Sequence, residues 1–125
     1  MRGQRLFIRP LEADDRAAID SFFVAESWAG PPPTHGLLAK LVGDVAAVLG
    51  MELEPGAIVV QQLVVRRELR RKRIARALLG ELESLAANLD RDRILVRDAP
   101  GLDDFLRRVG FEWMDGTWVR RVRRQ

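Results

Sequence analysis

The sequence contains no cysteine and no tyrosine, and among its 125 residues it has one histidine, His35. Without cysteine there is no disulfide framework, no thiol nucleophile and no thiolate metal ligand. A single imidazole cannot build a histidine-based metal centre, so no metal is expected. Without tyrosine no phenol can donate a proton anywhere in the chain, and chemistry that needs an acid must find another. Long apolar runs are missing too. No stretch approaches the ~18 residues of a membrane span, and the polar, Arg-rich start does not read as a signal peptide, so a cytoplasmic protein with no membrane partner is expected. What the chain does have is 47% hydrophobic residues, enough at this length for one core, and residues 1–125 read as a single domain.

Charge is unevenly spread. Residues 1–65 hold five basic and eight acidic side chains, net −3, whereas residues 66–125 hold sixteen and ten, net +6. The second excess comes from one segment: Arg66, Arg67, Arg70, Arg71, Lys72, Arg73 and Arg76 stand against Glu68 alone, net +6 over eleven residues. A second group, Arg120, Arg121, Arg123 and Arg124, lies near the last residue. Clustered arginine is the footprint of nucleic-acid binding, which stands as an alternative partner class. Against it, neither cluster contains an aromatic residue on which a base could stack.

The hydrophobic pattern predicts an order of elements. Leu6–Arg9 reads as a strand ended by Pro10. Asp14 or Asp15 then caps a helix to about Phe23, whose apolar side is Ala17, Ala18, Ile19, Phe22 and Phe23. Three consecutive prolines make 26–36 a stiff loop. Leu37–Val42 and Val45–Leu53 read as a hairpin turning at Gly43-Asp44, and Pro55-Gly56 turns into a strand, Ile58–Val65, apolar enough for a central place in a sheet. After the arginines, Ile74, Ala75, Leu78, Leu79, Leu82, Leu85 and Leu89 recur at helical spacing. Ile94–Val96 is a further strand, broken by Pro100-Gly101. A short helix capped by Asp103 or Asp104 runs through Val109 to Gly110, and Trp113–Met114 and Thr117–Val122 close the chain as a hairpin about Asp115-Gly116.

A strand that runs through an arginine cluster into a helix N-terminus delivers unpaired backbone N–H groups and positive charge to one place, which is an anion site. Residues Arg70 to Ala75 in that place resemble the motif A loop of the GNAT superfamily of acetyl-CoA-dependent N-acetyltransferases. In that family the loop reads Arg or Gln, two variable residues, Gly, one variable residue, and Gly or Ala. Arg70 and Ala75 match, and Arg73 replaces the glycine. The stretch from Ala99 to Phe111 resembles the motif B ending, and Leu6–Phe23 resembles the family's opening strand and helix, so the resemblance covers nearly the whole chain. It implies an α+β fold, an α/β/α sandwich around a mixed, mostly antiparallel sheet of six or seven strands, with a V-shaped splay between the fourth and fifth.

The resemblance also implies a function: transfer of acetyl from acetyl-CoA to a small-molecule or peptide amine by direct attack. A CoA-binding domain without catalysis, acting as a sensor or assembly partner, is the rival. By resemblance, backbone N–H groups from Arg71 through Lys72, Arg73 and Ile74 to Ala75, with Arg70, hold the pyrophosphate. Leu63, Val64 and Val65 meet the pantetheine arm, and Phe105 and Arg108 complete the cofactor-binding set. The family's acidic tyrosine falls at Leu106, so the proton for the departing thiolate must come from elsewhere.

For a general base, Glu52 and Glu54 share one face of their strand, and Asp98 lies just past the fifth strand. Gln61 and Gln62 stand where family members place an acidic base and could align a water. His35 is the one side chain with an ordinary pKa near neutrality, and Trp28 could line an acceptor pocket or anchor the core. If the last hairpin ends on an open sheet edge, a second copy would cover that edge and Trp118, which predicts a homodimer.

Overall fold

The structure, a computed structural model, describes residues 5–70, 73–97 and 101–122. Seven strands among these residues form one sheet: β1 (Leu6–Pro10), β2 (Gly36–Leu41), β3 (Asp44–Glu54), β4 (Ala57–Val65), β5 (Arg93–Val96), β6 (Glu112–Met114) and β7 (Thr117–Arg121). Their spatial order is β1-β2-β3-β4-β5-β7-β6, with β4 central. Every neighbouring pair is antiparallel except β4 and β5.

Helices cover both faces. On one side α1 (Arg16–Ala25) packs Ile19, Phe22 and Phe23 on Leu38, Val48 and Val64. On the other, α2 (Ile74–Asn88) buries Ile74, Leu78, Leu79, Leu82 and Ala86 against Leu49, Ile58, Val60 and Ile94. The short α3 (Asp103–Arg108) adds Leu106 to the same core. Ile58 and Val60 face the α2 side, and one extra residue at Gln61 shifts the alternation so that Val64 faces the α1 side; with both faces covered, a strand this apolar sits at the centre.

Several boundaries differ from expectation for local reasons. The β2–β3 turn is Val42-Gly43 rather than Gly43-Asp44, because Leu41 pairs with Asp44. Both turn residues have positive φ, 52° and 84°, as a type I′ turn requires, and Val42 is a β-branched residue in a conformation that suits Asn or Gly. Pro10 continues β1 instead of ending it, paired with Leu37 on an edge strand where its missing N–H can face outward. Ala17 and Ala18 are exposed, so the apolar stripe of α1 is narrower than predicted.

Asp15 does not donate its carboxylate to the helix as a cap. It takes a bidentate bond from Arg9, 2.8 Å and 2.7 Å, and accepts the Glu12 N–H at 2.7 Å. The Arg9 bonds hold its pKa at about 2 although burial opposes this. Asp103 and Asp104 likewise lie inside the first turn of α3, with Leu102 at the N-cap.

The last hairpin ends on the sheet edge at β6, but Trp118 needs no second copy to cover it. Trp118 is already buried, 4% exposed, with the Trp113 ring 5.2 Å away edge-on and the Arg107 guanidinium 5.2 Å over its face. Of the two tryptophans of this hairpin, Trp113, on the edge strand β6, is the exposed one. Of the second arginine group, Arg120 is engaged with Glu83 at 3.1 Å, and Arg123 and Arg124 lie outside the described residues. Among the described residues no helix is long and apolar enough to cross a membrane.

Candidate functional site

The parallel strands β4 and β5 pair only over Ala57–Val60 and Arg93–Val96. Beyond Val60, β4 runs on for five residues to Val65 with no β5 partner among the described residues, and the sheet opens there. The opening starts at a β-bulge: Gly50 pairs with Gln62 and Met51 with Val60, leaving Gln61 as the extra residue. Past the bulge the edge is polar in a regular way. The Arg66 N–H bonds the Ala46 carbonyl at 2.8 Å on the β3 side. By alternation Val64 also faces β3, whereas the N–H and C=O of Leu63 and Val65 face the gap.

A cleft of about 840 Å³ occupies this gap. Its inner wall is Val60, Leu63, Val64 and Val65 from β4, Val96 from β5, Leu79 from α2, and Phe105, Leu106 and Val109 from α3 and its end. Four arginines, Arg70, Arg73, Arg76 and Arg108, reach it from the α2 and α3 side, and Glu26 and Trp28 from the end of α1. The cleft therefore runs through the sheet, cationic toward one face and with a carboxylate and an indole toward the other.

The cationic end coincides with the start of α2. The first helical bond there is from Ala77 N–H to Arg73 O at 3.0 Å, so N–H groups of the first turn have no acceptor within the helix and present donors to an anion. Arg73 is the N-cap and adopts φ 63°, ψ 19°, the left-handed conformation that glycine adopts without strain. The residue that replaces the motif glycine thus keeps the glycine's backbone shape and adds a guanidinium.

The opposite end is fixed by the C-terminus of α1. Trp28 N–H bonds Phe23 O at 2.8 Å and Ser27 N–H bonds Val24 O at 3.1 Å, with Ser27 at φ 57° and the Phe23 and Trp28 rings 6.3 Å apart. These are the two bonds and the apolar contact of a Schellman motif, made with serine where glycine is usual. The Trp28 indole N–H then donates to Gln62 Oε1 at 2.9 Å, and Gln62 Nε2 donates to Pro31 O at 3.1 Å. A Cβ on Gly30 would stand 2.6 Å from Trp28 Nε1, and one on Gly50 would stand 2.8 Å from Pro33 Cβ, so both glycines allow the proline loop to lie this close.

The predicted site residues that the structure describes fall into three groups. Leu63, Val64, Val65, Arg70, Arg73, Ala75, Phe105, Leu106 and Arg108 line the cleft together. Ile74 belongs to the core beneath it. Glu52 and Glu54 are outside it: Glu52 accepts from Gln61 Nε2 at 2.7 Å, and Glu54 pairs with Arg97 at 3.1 Å. Gln62 has its amide engaged on both sides, so it fastens the loop rather than aligning a water. His35 is exposed and takes part through its carbonyl, which accepts the Met51 N–H at 2.9 Å.

Arg71, Lys72 and Asp98 lie outside the described residues. Glu26 is the residue that sequence reading missed. It sits at the C-cap of a helix with no motif around it, and only the return of β4 beside α1 brings it to the cleft.

The profile of the acetyltransferase (GNAT) domain matches residues 32–121. Solved structures agree in fold. An acetyltransferase of the GNAT family from Staphylococcus aureus Mu50 superposes with a TM-score of 0.77 at 11% identity, over 95% of this chain and 100% of that one. The GNAT family N-acetyltransferase YhbS of Escherichia coli, in complex with CoA, gives 0.72 at 19% identity, over 97% and 83%. The putative N-acetyltransferase YhhK of E. coli, bound to coenzyme A, gives 0.74 at 21% identity, over 94% and 98%. A comparison with curated proteins finds no match. With a profile match over most of its length, a seven-stranded sheet parted between β4 and β5, and an arginine-rich turn at the start of α2, the chain belongs to the GNAT family of N-acetyltransferases.

Proposed function

We propose that this domain binds acetyl-CoA in the β4–β5 cleft and transfers the acetyl group to an amine by direct attack. The observation that supports this most is the coincidence, in one cleft, of a β4 edge at Leu63 and Val65 that has no strand partner among the described residues, its Val65 carbonyl met only by Arg70 Nε at 3.4 Å, with the first-turn N–H groups and arginines at the start of α2. An amide-bearing pantetheine arm can bond the edge as an added strand, and a pyrophosphate can bond the helix start. The neutral amine nitrogen attacks the thioester carbonyl, the C–N bond forms, and the C–S bond breaks. The amine's proton is lost to a base, and the thiolate leaves and is protonated.

Leu106 lines the cleft and is 1% exposed, so this chain offers no side-chain acid at the position its resemblance assigns to tyrosine. A thiolate is a tolerable leaving group near neutral pH, and water can return the proton. The same feature favours a second reading, a CoA-binding domain that does not catalyse.

Acetyl-CoA at a hundred times its dissociation constant should stabilise the fold by about 2.7 kcal/mol, read as a rise in Tm. Release of free CoA thiol in the presence of amines then separates enzyme from sensor. Absence of a thermal shift at millimolar acetyl-CoA rejects both.

A further inference from the structure

We infer that Glu26 and Trp28 form the acceptor subsite and that it selects a cationic amine. This deepens the proposed reaction and rests on it. Among the described residues, four of the five charged side chains at the cleft are arginines, and all four come from the α2 and α3 side. Bound CoA brings phosphate charge to that end and neutralises it. Glu26, which lines the cleft from the end of α1, is the negative charge at the cleft among the described residues and remains to meet an incoming acceptor. A carboxylate beside an indole is the pairing that holds an ammonium group: the carboxylate accepts its N–H donors and the ring face attracts its charge.

Two features make this a built arrangement. The Glu26 N–H bonds Phe22 O at 2.9 Å, and the Trp28 N–H bonds Phe23 O at 2.8 Å, so one helix end sets both backbones. Both side chains are half-buried and are tied by their own bonds. Glu26 Oε1 accepts the Arg67 N–H at 2.8 Å, and the indole N–H is spent on Gln62 at 2.9 Å. The bond from Arg67 uses one carboxylate oxygen and orients the other. The bond to Gln62 and the Phe23 ring 6.3 Å away hold the indole in the cleft wall.

The test is calorimetric titration of the full chain, saturated with CoA, using benzylamine and 1,4-diaminobutane as cationic probes. Benzyl alcohol serves as the neutral isostere and glycine as the zwitterion. The expected result is binding of the two cations at least tenfold tighter than benzyl alcohol or glycine. In Glu26→Gln that preference falls at least tenfold while CoA affinity is unchanged or tighter. Glutamine still accepts the Arg67 N–H, so a structural role alone would not move the charge preference. Equal binding of benzylamine and benzyl alcohol, no binding of either cation at millimolar concentration, or a preference that survives Glu26→Gln would each overturn the inference and leave the CoA site standing. Failure of CoA itself to bind would overturn the proposed function, and the subsite with it.

Discussion

The indole N–H of Trp28 donates to Gln62 Oε1 at 2.9 Å, across 34 positions of sequence, and ties the end of α1 to the bulge that opens the sheet. Gln62 completes the tie through its bond to Pro31 O at 3.1 Å. Replacing it with leucine removes both bonds and leaves a half-buried donor and acceptor unmatched. We expect Gln62→Leu to lower stability by about 2–4 kcal/mol in chemical denaturation. A loss below 0.5 kcal/mol would show that the loop is held by its prolines and by Trp28 packing alone.

Arg73 tests backbone shape against charge. Its left-handed φ of 63° strains any residue with a Cβ, so Arg73→Gly should raise stability by about 0.5–1 kcal/mol after the entropy of glycine is counted. That variant should keep its acetyl-CoA thermal shift, because the helix N–H groups remain. Arg73→Glu places a negative charge beside the phosphates and should abolish the shift. Equal shifts in both variants would mean that the pyrophosphate binds elsewhere.

Val42 offers a separate gain. A β-branched residue at φ 52° in an exposed two-residue turn is the reverse of what a type I′ turn prefers, and Asn-Gly is the favoured pair. Val42→Asn should stabilise the protein by about 1 kcal/mol, a Tm rise of about 4 °C at this length, with acetyl-CoA binding unaffected. An unchanged Tm would argue that the hairpin is pinned by its strands and indifferent to its turn.

Acid unfolding should report the Arg9–Asp15 pair. Asp15 has a pKa lowered from 3.8 to about 2 in the folded chain, so between these values the unfolded state binds more protons and stability falls as pH falls. The contribution is complete above about pH 4 and is lost through about pH 2. It amounts to about 1–2 kcal/mol, since the Arg9 side chain is 36% exposed and partly screened. Asp15→Asn should flatten the stability curve over that range. An identical acid limb would assign the acid sensitivity to other carboxylates.

Leu106→Tyr places a phenol at the cleft wall where the chain has none. A positioned acid contributes about 10²- to 10⁴-fold, so a wild type that turns over should gain at least tenfold in kcat. A fall in rate at unchanged acetyl-CoA affinity would mean that the proton leaves by another path and that Leu106 shapes the acyl or acceptor space.

Which parts were legible in the sequence follows from range of interaction. The stripe of α2, the central place of β4 and the Asp115-Gly116 turn are set by neighbours a few positions apart, where period and turn chemistry act directly. The arginine-rich start of α2, to which the proposed pyrophosphate site is assigned, was legible for the same reason, since strand, arginines and helix are adjacent in the chain. The Val42-Gly43 turn was misplaced by one residue because register there is fixed by the pairing of Leu41 with Asp44, a cross-strand choice.

Of the proposed acceptor subsite, the sequence pointed to Trp28 but not to its carboxylate. Glu52 and Glu54 satisfy every rule of strand alternation, yet their carboxylates meet Gln61 and Arg97 and do not line the cleft. Glu26, which no pattern marks, enters the cleft because the end of α1 and the end of β4 converge over 41 positions of sequence. Sequence alone determined most of the elements and the arginine-rich start of α2, since both depend on local hydrogen bonds and charge. Tertiary structure alone decided which carboxylate faces the cleft, because that depends on how far β4 outruns β5 and on which helix end packs over the gap.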